Sequence, residues 1–258
     1  MFIDTHAHLY LDQFQTDQDA MIQRCKDEHV EKIFLPNIDL ESVDPMHKIC
    51  SRYDNMLYPM MGLHPCSVGE NYREVLDQME PLFEKGNYVG VGETGIDLYW
   101  DTTFRKEQEV SFRVQINWAK SRDLPVIIHS RNSIDETIRI ISDEQDGRLK
   151  GIFHCFTEDY SYAKQILDLG FLMGIGGVVT FKKSEELRNC VAKLPVDSFV
   201  LETDAPYLTP HPHRGKRNES SYIPLIASSV AQSRKVSVEE IAELTSRSAN
   251  SLFLPNGD

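Results

Sequence analysis

The chain has 258 residues, with 27 Lys and Arg set against 40 Asp and Glu, for a formal net charge of −13. That length can bury a sizeable core in one unit, because α/β barrels commonly run to about 250 residues without dividing. A hydrophobic share of 41% excludes wholesale disorder, and the acidic balance excludes a protein that coats nucleic acid or an anionic membrane, since its field repels both. A polyanionic partner therefore needs a local patch of opposite sign.

The first segment, MFIDTHAHLYLDQF, breaks any apolar run with Asp4 and two histidines, so neither a signal peptide nor a membrane span is expected there. No later run approaches about 18 apolar residues, and no membrane partner is expected. Cys25, Cys50, Cys66, Cys155 and Cys190 are odd in number, scattered and never in a C-x-x-C pair. This fits reduced thiols in a cytoplasmic protein and unremarkable core or surface positions.

Short apolar runs rich in Val, Ile, Phe or Leu recur at residues 1–8, 32–38, 58–65, 88–95, 125–130, 151–156, 171–177 and 199–206. The polar stretches between them are long enough for helices, as parallel strands joined by crossovers require. Thr16 followed by Asp19, and Ser237 followed by Glu240, read as helix starts. Residues 103–122 form the longest helical pattern, with Phe112, Ile116 and Ala119 on one face. No linker divides the series, and only TPHPHRGKRN at 209–218 lacks apolar periodicity. Eight strand and helix units of this size predict an α/β fold, a (β/α)8 TIM-like barrel forming a single domain over 1–258. An open doubly wound sheet is the alternative, but no G-x-G-x-x-G follows the first strand.

Barrel chemistry sits at the C-terminal ends of strands. There the chain places Asp4-Thr5-His6-Ala7-His8, His64, Glu93, His129-Ser130-Arg131, His154 and Glu202-Thr203-Asp204. Alternate residues share a strand face, so His6 and His8 point together, as do Glu202 and Asp204. Any one of these histidines alone reads more readily as a packed or backbone-satisfied side chain. Crowded together without partners they would cost several kcal/mol of desolvation, which divalent cations remove. The ligand count suggests two ions: His6, His8 and Asp204 on one, His129 and His154 on the other, and Glu93 bridging. Such a pair lowers the pKa of a shared water, giving a metal-bridged hydroxide with Asp204 as general base, and Glu93 and Asp204 are the expected catalytic residues.

His64, Arg131, Arg214, Lys216 and Arg217 supply positive or hydrogen-bonding groups for a phosphate at the rim. For the 209–218 loop a solvated turn is an equal alternative. Tyr99, Trp100 and Tyr207 are open to two readings, packing residues or a stacking surface for a base.

The motifs D-T-H-A-H at Asp4, G-L-H-P at Gly62, G-E-T-G-I-D at Gly92, H-S-R at His129, H-C-F at His154 and E-T-D-A-P-Y-L-T-P at Glu202 occur in that order. With R-G-K-R-N-E at Arg214, the chain resembles the TatD family of metal-dependent deoxyribonucleases along nearly its whole length. The resemblance implies a barrel hydrolase with one or two divalent ions acting on DNA from the 3′ end. It implies His6, His8, Glu93, His129, His154 and Asp204 as ligands and His64 as a phosphate or substrate contact. Asp4, Glu202 and Arg131 become neighbours of the site. Ser220 and Ser248 depart from the proline and asparagine common at these positions in the family.

The expected function is thus a metal-dependent phosphodiesterase, a 3′ to 5′ exodeoxyribonuclease holding DNA ends transiently as a monomer. The alternatives are hydrolysis of a carbonyl substrate, such as an amide, an ester or a D-aminoacyl-tRNA, and a non-catalytic metal-binding scaffold. Imidazole-rich ligation suits Zn or Mn, whereas nuclease chemistry often uses Mg.

Overall fold

A computed structural model describes residues 1–254. Each of the eight apolar runs overlaps a strand: β1 (Phe2–Asp4), β2 (Val30–Pro36), β3 (Leu57–Met60), β4 (Val91–Asp97), β5 (Val126–Arg131), β6 (Gly151–Phe153), β7 (Phe171–Ile175) and β8 (Phe199–Leu201). Helices α1 (Gln18–Asp27), α2 (Val43–Arg52), α3 (Tyr72–Lys85), α4 (Arg105–Arg122), α5 (Ile134–Glu144), α6 (Tyr160–Asp168) and α7 (Glu185–Lys193) alternate with them, and α8 (Ile223–Arg234) and α9 (Val238–Phe253) follow β8. Parallel ladders run β1-β2-β3 and β4-β5-β6-β7-β8. Two single bridges, Ala7 to Ala205 and Met61 to Val91, close the seams, completing the (β/α)8 barrel.

Period-two alternation divides the core in two. Ile3, Phe34, Met60, Ile127, Ile152 and Val200 meet inside the barrel, while Ile33, Leu35, Val126 and Ile128 point outward into the layer beneath the helices. Helix α9 plugs the N-terminal end of the interior with Ala249 and Phe253, whose ring stacks on Phe34 at 4.0 Å. Burying a side chain of this size stabilises the fold by about 1.5–3 kcal/mol. With that end closed, the inward row can carry polar groups only at the other. Two residues beyond Ile127, Ile152 and Val200 stand His129, His154 and Glu202.

Some strand ends depart from regular geometry, and the departures aim side chains. Across β4 and β5 the register passes from Val91 opposite Val126 to Thr94 opposite Ile128, so β4 carries one extra residue, and this slip brings Glu93 to the inner face. Cys155 and Asp204 adopt left-handed backbone conformations, at φ 50° and 56°. Asp tolerates that region better than Cys, and each such residue typically costs about 1–3 kcal/mol, held by its surroundings.

Ser237 caps α9 as expected, its hydroxyl accepting the Glu240 N–H at 3.1 Å. The expected start of α1 is corrected. The helix begins at Gln18 after Asp17, and the Asp17 carboxylate makes no cap because it is engaged by Arg24 and Arg217. Helix α4 starts at Arg105 and buries Phe112, Ile116 and Ala119.

Candidate metal centre

Glu93 is buried at the centre of the mouth, and its two oxygens face different partners. Oε2 lies 3.2 Å from His6 Nε2 and 3.4 Å from His8 Nε2. Oε1 lies 2.8 Å from His129 Nδ1, 3.0 Å from His154 Nε2 and 3.3 Å from His64 Nε2. Asp204 Oδ1 closes the first group, 3.6 Å from His8 Nε2 and 3.8 Å from His6 Nε2. The Asp204 side chain is 15% exposed against 4% for Glu93, so Asp204 is the carboxylate that meets the opening.

Groups behind the imidazoles set their tautomers. Tyr10 donates to the Pro36 carbonyl at 2.7 Å, so its oxygen can accept from His8 Nδ1 at 2.9 Å, leaving a lone pair on His8 Nε2. His129 directs Nε2–H to Asp97 Oδ2 at 2.9 Å, and His154 directs Nδ1–H to Glu202 Oε1 at 3.2 Å. Lone pairs of both then point at Glu93. His64 differs: its Nδ1 accepts the Cys66 N–H at 3.0 Å, so the neutral ring carries its proton on Nε2 and presents a donor to the site.

Glu202 sits where β7 offers no side chain, since a Cβ on Gly174 would overlap Glu202 Oε2. Its Oε1 also accepts the Cys155 N–H at 2.6 Å. Asp4 ties the β1–β8 seam by accepting from Thr203 N and Oγ1 at 2.9 and 2.6 Å. Asp4 and Glu202 thus stand behind the cluster. Ser220 is fully buried, with a hydroxyl that has no hydrogen-bond partner among the described residues and that a proline there would lack.

Burial favours neutral Glu93, but His154, His64, His6 and His129 outweigh it and hold the carboxyl well below the usual range. Asp204 is likewise lowered, against burial, by His8, His154 and His6. His154 is raised well above the ordinary histidine value, because Glu93 and Glu202 overcome its burial. Burial and the neighbouring His154 lower His6. Asp4 is pushed up to about 7 by burial, despite its hydrogen bonds.

This donor set fits divalent cations. Imidazole nitrogens and carboxylate oxygens converge lone pair to lone pair: His6 and His8 Nε2 are 3.2 Å apart, and the atoms of His6, His8 and Glu93 lie within 4.8 Å of one another. Buried His6 Nδ1 and Glu202 Oε2 have no hydrogen-bond partner among the described residues. A cation satisfies such an array, which would otherwise need shared protons. His64, Glu93 and His129 also converge, but the donor on His64 Nε2 sets that histidine apart from the ligands.

A model of the family described as TatD related DNase matches residues 3–254. The chain belongs to the TatD family. It is a metal-dependent hydrolase. It is 37% identical to the uncharacterized metal-dependent hydrolase YabD of Bacillus subtilis over 99% of this chain and all of that protein. Identity to YcfH of Escherichia coli is 33%, over 97% of this chain and 95% of the relative. The crystal structure of the TatD homologue YjjV from Escherichia coli superposes with a TM-score of 0.91 at 30% identity, covering 98% of this chain and 97% of that one.

The rim of this TatD protein divides its cations unequally. Arg131 is exposed at the end of β5, its guanidinium 3.9 Å from the Tyr99 ring centroid and 5.2 Å from that of Trp100. Arg214 lies over the Phe181 ring at 4.0 Å and donates to the Thr209 carbonyl, while Lys216 is exposed. Arg217 corrects expectation. Its guanidinium is bound by Asp17 at 2.6 and 2.8 Å, by Glu219 and by the Gln13 carbonyl, so it pins the loop to α1 instead of offering a free charge.

Arg217→Ala is accordingly expected to lower stability by about 1 kcal/mol, because Glu219 keeps Arg24. Thermal unfolding should show a Tm lower by about 2–4 °C, with KM unchanged. Arg217, with help from Arg24, lowers Asp17 to about 2. The Asp17 contribution is therefore present above its ordinary value of 3.8 and is lost as pH falls through about 2, and the variant, which keeps Arg24 beside Asp17, should show a smaller acid-side loss.

Two contributors escaped the sequence reading. Asp97 closes G-E-T-G-I-D, and its partner His129 became visible only with the β4–β5 register. Tyr10, two residues after His8, carries a period-two signal that could have found it. Cys155, read as unremarkable, stands in the mouth.

Proposed function

We propose that this chain is a phosphodiesterase that hydrolyses DNA from an end, in the 3′ to 5′ direction, acting as a cytoplasmic monomer. The observation that carries the reading is the division of Glu93, one oxygen toward His6 and His8 and the other toward His129 and His154. That division suits two cations, Zn, Mn or Mg, which when bound acidify water and stabilise charge on a phosphate in displacement. The family description as a DNase supports the same substrate class.

The residues divide the remaining work. Asp204 faces the opening and stays ionised among His8, His6 and His154, so it can take the proton of an attacking water. His64 presents Nε2–H beside Glu93 and His129, where it can donate to a non-bridging phosphate oxygen. Arg131 adds a planar guanidinium at the rim. Asp97 and Glu202 hold His129 and His154 in register. All five cysteines are free, as a reducing compartment would keep them, and no helix among the described residues is long and apolar enough to cross a membrane.

The test is degradation of single-stranded DNA by protein reconstituted with Mg, Mn or Zn, using oligonucleotides blocked at either end. Asp204→Ala should lose about 10²–10⁴-fold in rate, the usual range for a lost general base. Intact DNA under all three metals, with turnover of an ester, lactone or D-aminoacyl-tRNA instead, would replace this reading with carbonyl hydrolysis.

A further inference from the structure

Trp100 is 70% exposed and Tyr99 is 53% exposed, in a chain that buries most of its large apolar side chains. The sequence left packing and stacking open for this pair, and that exposure removes packing. The two rings meet edge to face with centroids 4.9 Å apart. Arg131 lies over the Tyr99 ring at 3.9 Å and reaches the Trp100 ring at 5.2 Å, yet the indole remains the more exposed of the two aromatic surfaces.

The position is tied to the catalytic mouth by one carboxylate. Asp97 Oδ1 accepts the N–H groups of Tyr99 and Trp100 at 2.9 and 3.2 Å, while Oδ2 receives His129 Nε2 at 2.9 Å. Asp97 also stands opposite Arg131 in the β4–β5 register. The guanidinium is close enough to the thiols of Cys66 and Cys155 to act on both.

Charge identifies the occupant. In this acidic chain Arg24, Arg105, Arg113 and Arg217 are each paired with carboxylates, whereas Arg131 has none among the described residues. An unpaired planar cation stacked on a phenol keeps its N–H edge for an anion. Beside it lies an indole that is 70% exposed, suited to the face of a flat, uncharged ring. A phosphate with an aromatic base attached presents both features, and base stacking on an aromatic side chain is sequence-tolerant.

We propose that Trp100, backed by Tyr99 and Arg131, is a stacking platform for a nucleobase at the end of the substrate strand. The inference rests on the phosphodiesterase reading above and deepens it. Asp97 makes the platform and His129 parts of one hydrogen-bonded unit, so a seated base fixes its phosphate relative to the cluster.

The experiment pairs binding with kinetics on metal-loaded protein. A short single-stranded phosphorothioate oligodeoxyadenylate should quench indole fluorescence in the wild type, and the quench should vanish in Trp100→Phe, where only buried Trp118 remains. Trp100→Ala should raise KM for the unmodified oligonucleotide roughly tenfold to hundredfold, while Trp100→Phe recovers part of the loss. The ratio of oligonucleotide to abasic-oligonucleotide kcat/KM should fall accordingly, because the abasic strand carries phosphodiesters and no ring to stack. Wild-type KM in Trp100→Ala, or an equal loss on both substrates, overturns the platform and leaves the phosphodiesterase reading standing. A wild type that neither quenches with DNA nor cleaves it overturns both.

Discussion

Glu93→Gln should cost about three orders of magnitude in hydrolysis and also lower the bound-metal content, a pairing expected of a residue that joins two cation sites. The substitution keeps the shape and removes the charge. It also turns one end of the group into an NH2 donor. Whichever way the amide lies, one side of the cluster loses an acceptor: His6 and His8 with Oε2, or His129 and His154 with Oε1. Asp97→Asn offers the calibrating comparison, because that residue reaches the metal cluster through His129. Its loss should weaken metal binding by about 10–100-fold, the usual size for a group that orients a ligand. Metal analysis and rate should therefore rank wild type, Asp97→Asn and Glu93→Gln in descending order. A Glu93→Gln protein with full metal content and rate would remove the bridging role.

The barrel was legible because its strands are apolar runs that end in ionisable residues, and both signals are local. His129, His154 and Glu202 were readable by parity, since each stands two residues beyond an inward aliphatic. Glu93 could be named from its motif, but not aimed, because its inward face depends on the extra residue in β4 that exists only against β5. The same holds for the support of Glu202, which needs the bare Cα of Gly174 on the neighbouring strand. Arg217 was misplaced for a related reason. Its partner Asp17 is 200 positions away, and composition cannot distinguish a cation awaiting phosphate from one already paired. Trp100 was ambiguous because an aromatic residue beside a strand end has the same sequence whether it packs or faces solvent. Side-chain type and period are local properties, whereas register and pairing are not.

Removing metal should lower Tm by about 10 °C at neutral pH, and the gap should narrow as pH falls. Saturating a site at about a thousand times its Kd contributes about 4 kcal/mol, and each kcal/mol shifts a domain of this size by about 2–4 °C. The pH dependence follows from what replaces the cation. Ligand imidazoles must be unprotonated to bind, so acid weakens the holo form. In the metal-free protein, burial opposes the charged forms of His8, His129 and His154, but Tyr10, Asp204 and Glu93 raise His8 and the carboxylates around them raise His129 and His154. Their contribution is fully present below the ordinary value of 6.5 and is lost as pH rises through the raised values. Asp4 adds a loss of the same sign as pH rises from its ordinary 3.8 to about 7. His6 and His64 are lowered by burial, so their contribution is present above 6.5 and fades in acid, which makes the metal-free gain smaller than three histidines alone would give. Glu93 and Asp204 are depressed, and their share is retained above 4.5 and 3.8 and lost as pH falls through lower values. Metal-free stability should therefore crest on the acid side of neutrality, where metal binding is weakening. Thermal scans of chelated and metal-loaded protein across that range should converge on acidification. A gap that stays constant would mean that the cation is not held by these imidazoles.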